Sequence, residues 1–524
     1  MKKILFFAVL ALVLTACKPE AVIPADSTPV KEQALIYPDY RDIVVPPNIA
    51  PLNIMVKSPG TEFVGRIASP DGSKEILAAA DEDGKLFFDS VEWKGLLQSC
   101  RGKDLNVTIY SHQESGWMKH PDYKITIANE EIDPYLTYRL IEPSYELYRQ
   151  LGIYQRNLTS FEEVPIYENN ADFEAENNHC INCHAAQAYG ATHRTLFHVR
   201  GEHGGTVFAH DGKVERMNMK NDSTLGNAVY PAWHPTKPWI VFSSNKTGQT
   251  FHMTNTDKIE VVDYGSDLIF YDVEKNLISN VLKTPVEMET FPAWAPDGKR
   301  LYYCSAYLPA MAQISDTLKG KQYDDVASDT IITNYQNVHY NLMSLDFDPD
   351  TKTWGKPQLV LDCAALGLSA TVPRVSSDGR WLLITLGKFG QFHIWHKQSD
   401  LYVLDLEAIA NGTPAVSAIR RLDNANSDNV ESFHNWSSNG RWMVFSSRRD
   451  DGSYTRPYIA YFDKEGHDYK AFVIPQEDPE LNLLRMKSYN VPELSTTAVD
   501  VTPQDFRDAI YVDDENVRKV QYGK

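Results

Sequence analysis

Two cysteines three positions apart, with a histidine directly after the second, form the run Cys180-Ile181-Asn182-Cys183-His184. This is the pattern of c-type haem attachment. Two thiols at this spacing on a turn of helix reach the two vinyl groups of one porphyrin, and the adjacent imidazole points at the iron as proximal ligand. With 6 Cys and 15 His in 524 residues, such a run arises by chance roughly 0.002 times per chain of this composition. A zinc half-site needs a second Cys or His pair at short spacing, which Cys100, Cys304 and Cys363 do not supply. A thioredoxin-type motif needs a βαβ frame, absent around this one. The expectation is one covalent haem c, held by Cys180, Cys183 and His184. The three other cysteines lie in apolar-leaning segments and read as core residues.

The iron of an electron carrier has both axial positions filled, whereas a haem enzyme leaves one open. The distal candidates are His193, His198, His203, His210, Met217, Met219 and His252. His198 is preferred, because it lies in a strand-like run that must pack near the motif. His252 is the alternative, and its Phe-His pair recurs at Phe392-His393 and Phe433-His434. Arg200 and Arg194 are counter-charges for haem propionates, with solvated arginines as the plain alternative. There is no Gly-x-Ser-x-Gly elbow, His-Glu-x-x-His site, P-loop or Gly-x-Gly-x-x-Gly loop, which argues against peptidase and nucleotide chemistry.

The N-terminus sets the compartment. Met1-Lys2-Lys3 is a positive start, and Ile4 to Val13 is apolar but too short for a membrane span. Leu14-Thr15-Ala16-Cys17 resembles the bacterial lipobox, so residues 1–16 read as a signal peptide and Cys17 as the lipidated first residue. Residues 17–47, rich in Pro, Ala and Glu, read as a lipidated flexible tether. Lys18, rather than Asp, after the cysteine favours the outer membrane. A lipid anchor makes the membrane one partner. The 70 acidic against 51 basic residues give a net charge of −19, which disfavours nucleic acid. With 43% hydrophobic and 23% charged residues, the body is globular.

The elements that must position the motif repeat along the chain. Pro231-Ala232-Trp233 leads into Trp239 to Ser244, Pro292-Ala293-Trp294 into Leu301 to Ser305, Pro373-Arg374-Val375 into Trp381 to Thr385, and Asn435-Trp436 into Trp442 to Ser447. Each is a short strand, a tight turn and an apolar strand, followed by a third strand such as Asp400 to Asp405. Such units are blades of a β-propeller, and the extra length from Leu308 to Gln336 reads as an inserted loop. Upstream, Tyr138 to Ile141 and Gly152 to Arg156 read as propeller strands, and Thr195 to Arg200 with Thr206 to His210 as a further blade. Residues 48–130 alternate apolar and polar and read as a small Ig-like β-sandwich. The expected fold is therefore all-β: a propeller of about six blades over 131–524, a small N-terminal β-sandwich, and a haem-binding loop at about 169–194.

The Pro-x-Trp-(Ser)-Pro-Asp-Gly phrase, from Tyr230 to roughly Tyr469, resembles the TolB-like (WD40-like) β-propeller repeat. The haem motif together with Phe197 to Thr206 and Ser446 to Gly452 is similar to a group of lipid-anchored, haem-motif-bearing TolB-like proteins of bacterial envelopes, often labelled cytochrome c-type. The resemblance implies the propeller and the haem; it does not supply a reaction, and TolB itself lacks the motif and works by binding partners. The expected function is mono-haem electron transfer in the cell envelope, with the propeller docking a protein redox partner. The alternatives are a binding scaffold with structural or sensory haem, and a haem peroxidase or oxidase with an open distal site.

Overall fold

The computed structural model describes residues 21–523 except 143–149, 170–178, 222, 253, 255–256 and 316. The signal peptide, Cys17 and part of the 169–194 segment lie outside the described residues.

The N-terminal unit is a seven-stranded sheet built on Asp104–Gln113, a three-stranded sheet, and the helix Ser90–Ser99. Asp89 caps this helix by accepting from the Val91 and Glu92 backbone N–H groups. Its Trp93 and Leu97 are sealed in the core with Leu105, Ile109 and Ile125. The expected flexible tether is corrected here. Ser27–Pro29 pairs with Trp117–Lys119, Ile43–Val45 pairs with Ile125–Ile127, and Ile36–Tyr37 pairs with Met55–Val56. The apolar run Ile43-Val44-Val45 is buried, and pairing it covers a sheet edge that would otherwise stay open.

Six four-stranded antiparallel units follow. Unit I joins Tyr135–Ile141, Gly152–Asn157 and Glu163–Glu168 to the C-terminal strand Ser488–Ser495. Unit II holds Cys180–Ala186, Thr195–Arg200, Gly205–His210 and Lys213–Asn218. Unit III holds Ala228–Trp233, Trp239–Phe251, Ile259–Asp272 and Leu277–Leu282. Unit IV holds Glu287–Trp294, Arg300–Tyr307, Tyr340–Asp348 and Gln358–Leu361. Units V and VI begin at Ser369–Val375 and Glu431–Trp436. The inner strands of consecutive units lie against one another from unit II to unit VI, and Ser488–Ser495 lies against those of both unit VI and unit II. Apolar clusters fill the spaces between neighbouring units, for example Phe208, Trp233 and Phe242 between II and III.

The repeated tryptophan has a local reason. Trp233, Trp294 and Trp436 donate their indole N–H to the carbonyls of Ala185, Ala232 and Arg374, each on the inner strand of the preceding unit. A large apolar ring is thus buried while its one donor is satisfied. Gly298 makes the turn after Trp294 at φ +68, where a Cβ would stand 2.3 Å from the His234 ring.

Two further expectations change. The Leu308–Gln336 insertion contains the helix Lys321–Asn334, whose Ala327 and Ile331 are buried. It packs on the long strands of unit III, with Lys246 paired to Asp324. The Cys180–His184 motif lies on no excursion and no turn of helix: it is part of the inner strand of unit II.

Candidate functional site

Each inner strand carries one β-bulge, and at each bulge one residue takes a left-handed conformation. These are Cys183, Tyr230, Phe291, Val372, Phe433 and Val491, with φ between 47° and 53°. Side chains with a Cβ pay roughly 1–2 kcal/mol each for that conformation. All six border one cavity of about 670 Å³. The bulge turns the backbone so that the residue faces inward, and it is the same device in every unit. In four units the next residue is proline (Pro231, Pro292, Pro373, Pro492); in the other two it is His184 and His434.

The motif therefore enters the cavity by the geometry of a strand. Cys183 and His184 line it, together with His198 on the next strand, which sits opposite Asn182 in the pairing. Cys180 packs toward the apolar cluster between units I and II, and its sulfur accepts from the Asn182 side-chain amide at 3.3 Å. All five described cysteines are free thiols. His252 is not among the lining residues: it follows the end of the long unit III strand, near the Tyr335 ring. His193 lies outside as well, 3.2 Å from Asp500. Arg200 borders the cavity mouth and is exposed, whereas Arg194 bonds to Gln187 at 3.2 Å.

The two cavity histidines are nearly sealed from solvent, at 6% for His184 and 2% for His198. Neither ring nitrogen of His198 has a hydrogen-bond partner, while those of His184 make only loose contacts with the Val491 and Thr137 backbone. Burial, reinforced by Arg139, pushes His184 down to about 4. Burial, reinforced by Arg200, pushes His198 down to about 3. Both imidazoles are neutral at cellular pH, the form that binds a metal. Burial raises the Cys183 thiol above its usual value. His434 occupies the repeat position of His184 and makes the control. Its nitrogens meet Thr385 Oγ1 at 3.2 Å and the Leu383 carbonyl at 3.1 Å.

Cys183, His184 and His198 bring one thiol and two imidazoles to the cavity wall, whereas Cys180, the second thiol of the motif, is not among its lining residues, so only Cys183 and the imidazoles are placed to hold a haem there. Among the described residues no group of three or more His, Cys, Asp or Glu is arranged to hold a metal ion by itself. Reading the sequence missed Arg139, Glu493 and the sixfold bulge. The recurrent residue before Pro-x-Trp, and before His184 and His434, was the available signal.

No curated protein matches the chain. Its structure is similar to a puromycin hydrolase (10% identity, TM-score 0.36, covering 65% of this chain and 52% of that one). It is similar to prolyl oligopeptidase B from Galerina marginata (11%, TM-score 0.33, 70% and 42%), and to a DUF4784 family protein from Bacteroides caccae (7%, TM-score 0.26, 75% and 95%). The chain thus spans about half or less of the two peptidase-type structures. At these scores the likeness carries no inference about activity. No helix among the described residues is long and apolar enough to cross a membrane. Residues 1–17 match the prokaryotic membrane lipoprotein lipid attachment site, so the chain is a lipid-anchored protein of the cell envelope.

Proposed function

We propose that this protein is a lipid-anchored, mono-haem c-type electron carrier of the outer membrane. In this reading the six units close as a TolB-like propeller around the cavity, and a protein redox partner docks on it. One observation carries the reading: Cys183, His184 and His198 line one cavity, and neither ring nitrogen of the sealed His198 has a hydrogen-bond partner. A buried polar group left unpaired costs about 1–3 kcal/mol, so an imidazole kept this way is held for a ligand.

A bound haem c supplies a one-electron redox centre. Cys183 and His184 would hold it from the inner strand of unit II, with Cys180 at the strand's outer side. His198 would offer a second neutral imidazole to the same group, which supports a carrier. Tyr230, Phe291 and Phe433 exclude water from the cavity wall, and Arg200 at the mouth offsets carboxylate charge. The net charge of −19 favours a partner with a basic docking face.

The test uses mature protein purified from a host that attaches haem c. A pyridine haemochrome, with a low-spin reduced spectrum unchanged by carbon monoxide, is the expected result. A high-spin ferric spectrum that binds azide would replace the carrier by a peroxidase or oxidase. Colourless protein with both motif thiols open to alkylation would leave only a binding scaffold.

A further inference from the structure

Arginine is handled in two ways in most of this fold. It pairs with a carboxylate, as Arg485 does with Glu163 and Arg421 with Asp400. Or it spends its donors on backbone carbonyls, as the sealed Arg456 does on Asn482, Thr455, Lys487 and Arg485. Arg139 is only partly satisfied in either way: among the described residues it has no carboxylate partner, and it gives one donor group to a backbone carbonyl. Its Nη1 meets the Ile181 carbonyl at 3.0 Å and the Asn182 side chain, which ties it to the motif strand. Its Nε is sealed and unpartnered. Arg200 and Arg374 border the same cavity. Among the described residues none of the three stands within ion-pair distance of a carboxylate; the nearest acid on the cavity wall is Glu493, which acts on Arg374. Among the described residues, a chain with 19 excess negative charges has thus placed three arginines and one glutamate on the wall of this cavity. Guanidinium removed from water without a counter-charge costs several kcal/mol, and its fork is shaped for a planar oxyanion.

We propose that this cavity binds a carboxylate ligand, gripped by Arg139 beside the motif strand and by Arg200 at the mouth, with Arg374 supplying positive field from the opposite wall. Two sources share this chemistry: the propionates of the proposed haem, or a free carboxylate. Only the first rests on the haem reading.

The probe is succinate, with chloride at matched ionic strength as control. It is followed by thermal unfolding of the mature protein and of a haem-less Cys180→Ser/Cys183→Ser variant. Succinate should stabilise the haem-less protein, and Arg139→Met should weaken its apparent affinity about ten-fold or more. Arg200→Met, at an exposed position, should weaken it less while leaving the fold intact. If mature protein no longer responds to succinate, the porphyrin carboxylates fill the site; if it responds as before, the ligand is a free carboxylate. The proposal is overturned if succinate stabilises neither form beyond chloride, or if it stabilises the haem-less protein equally with and without both arginines. Absence of haem from mature protein would sink the carrier reading alone, since the succinate comparison does not need it.

Discussion

Glu493 offers a quantitative probe of the cavity. It sits on the C-terminal strand, two positions after the left-handed Val491, and both of its carboxylate oxygens lie 3.2 Å from the Ala186 backbone N–H. Arg374 and Tyr189 are the other charged or titratable groups that act on it. Burial outweighs the Ala186 bond and Arg374, and pushes its carboxyl from 4.5 up to about 7. The folded chain therefore holds a proton that the unfolded chain has released between those two values. Stability from this group is highest below about pH 4.5 and falls as pH rises toward 7, then stays level. At 1.36 kcal/mol per pH unit, reduced because one side faces the cavity, the loss is about 2–3 kcal/mol. Glu493→Gln keeps an acceptor for Ala186 but cannot ionise. Urea unfolding of wild type and variant, each with Cys17→Ser to remove the anchor, should give equal stability near pH 4.5. At pH 8 the variant should be more stable by about 2–3 kcal/mol. The histidines titrate identically in both proteins and cancel in the difference. A gap that is constant with pH, or that widens on acidification, refutes the reasoning.

Other outcomes follow from the same geometry. Cys183→Ser should abolish most haem attachment, whereas Cys180→Ser should retain a single-thioether product, read from the haemochrome band position. His198→Ala should open an axial position and make the reduced spectrum sensitive to carbon monoxide. His434→Ala should leave the spectrum alone and cost about 1–3 kcal/mol, because it strands Thr385 and the Leu383 carbonyl. Deleting residues 27–45 should expose a sheet edge and part of the N-terminal core, so that limited proteolysis cuts between 48 and 130; resistance equal to wild type would restore the tether reading.

The amino-acid order was enough for the repeating strands, because alternation, Asp-Gly or Asn-Gly turns and the Pro-x-Trp phrase are local signals that need no knowledge of neighbours. It also determined the lipid attachment site and the presence of Cys180, Cys183 and His184 at haem spacing. It misplaced Ser27–Val45 and the motif itself. A Pro-rich stretch reads as a spacer until a distant sheet edge offers it hydrogen bonds, and Cys-x-x-Cys-His has no period that separates strand from helix. Which histidines share a cavity depends on strand pairing between distant segments. His184 and His434 are alike in sequence position within the repeat and both border the cavity, but only His434 is tied to Thr385 and Leu383, and only His184 has a second histidine, His198, on the neighbouring strand. Arg139 and Glu493 stand 354 residues apart in a 524-residue chain, and no local pattern could bring them to one site; the C-terminal strand pairing with Tyr135–Ile141 does so.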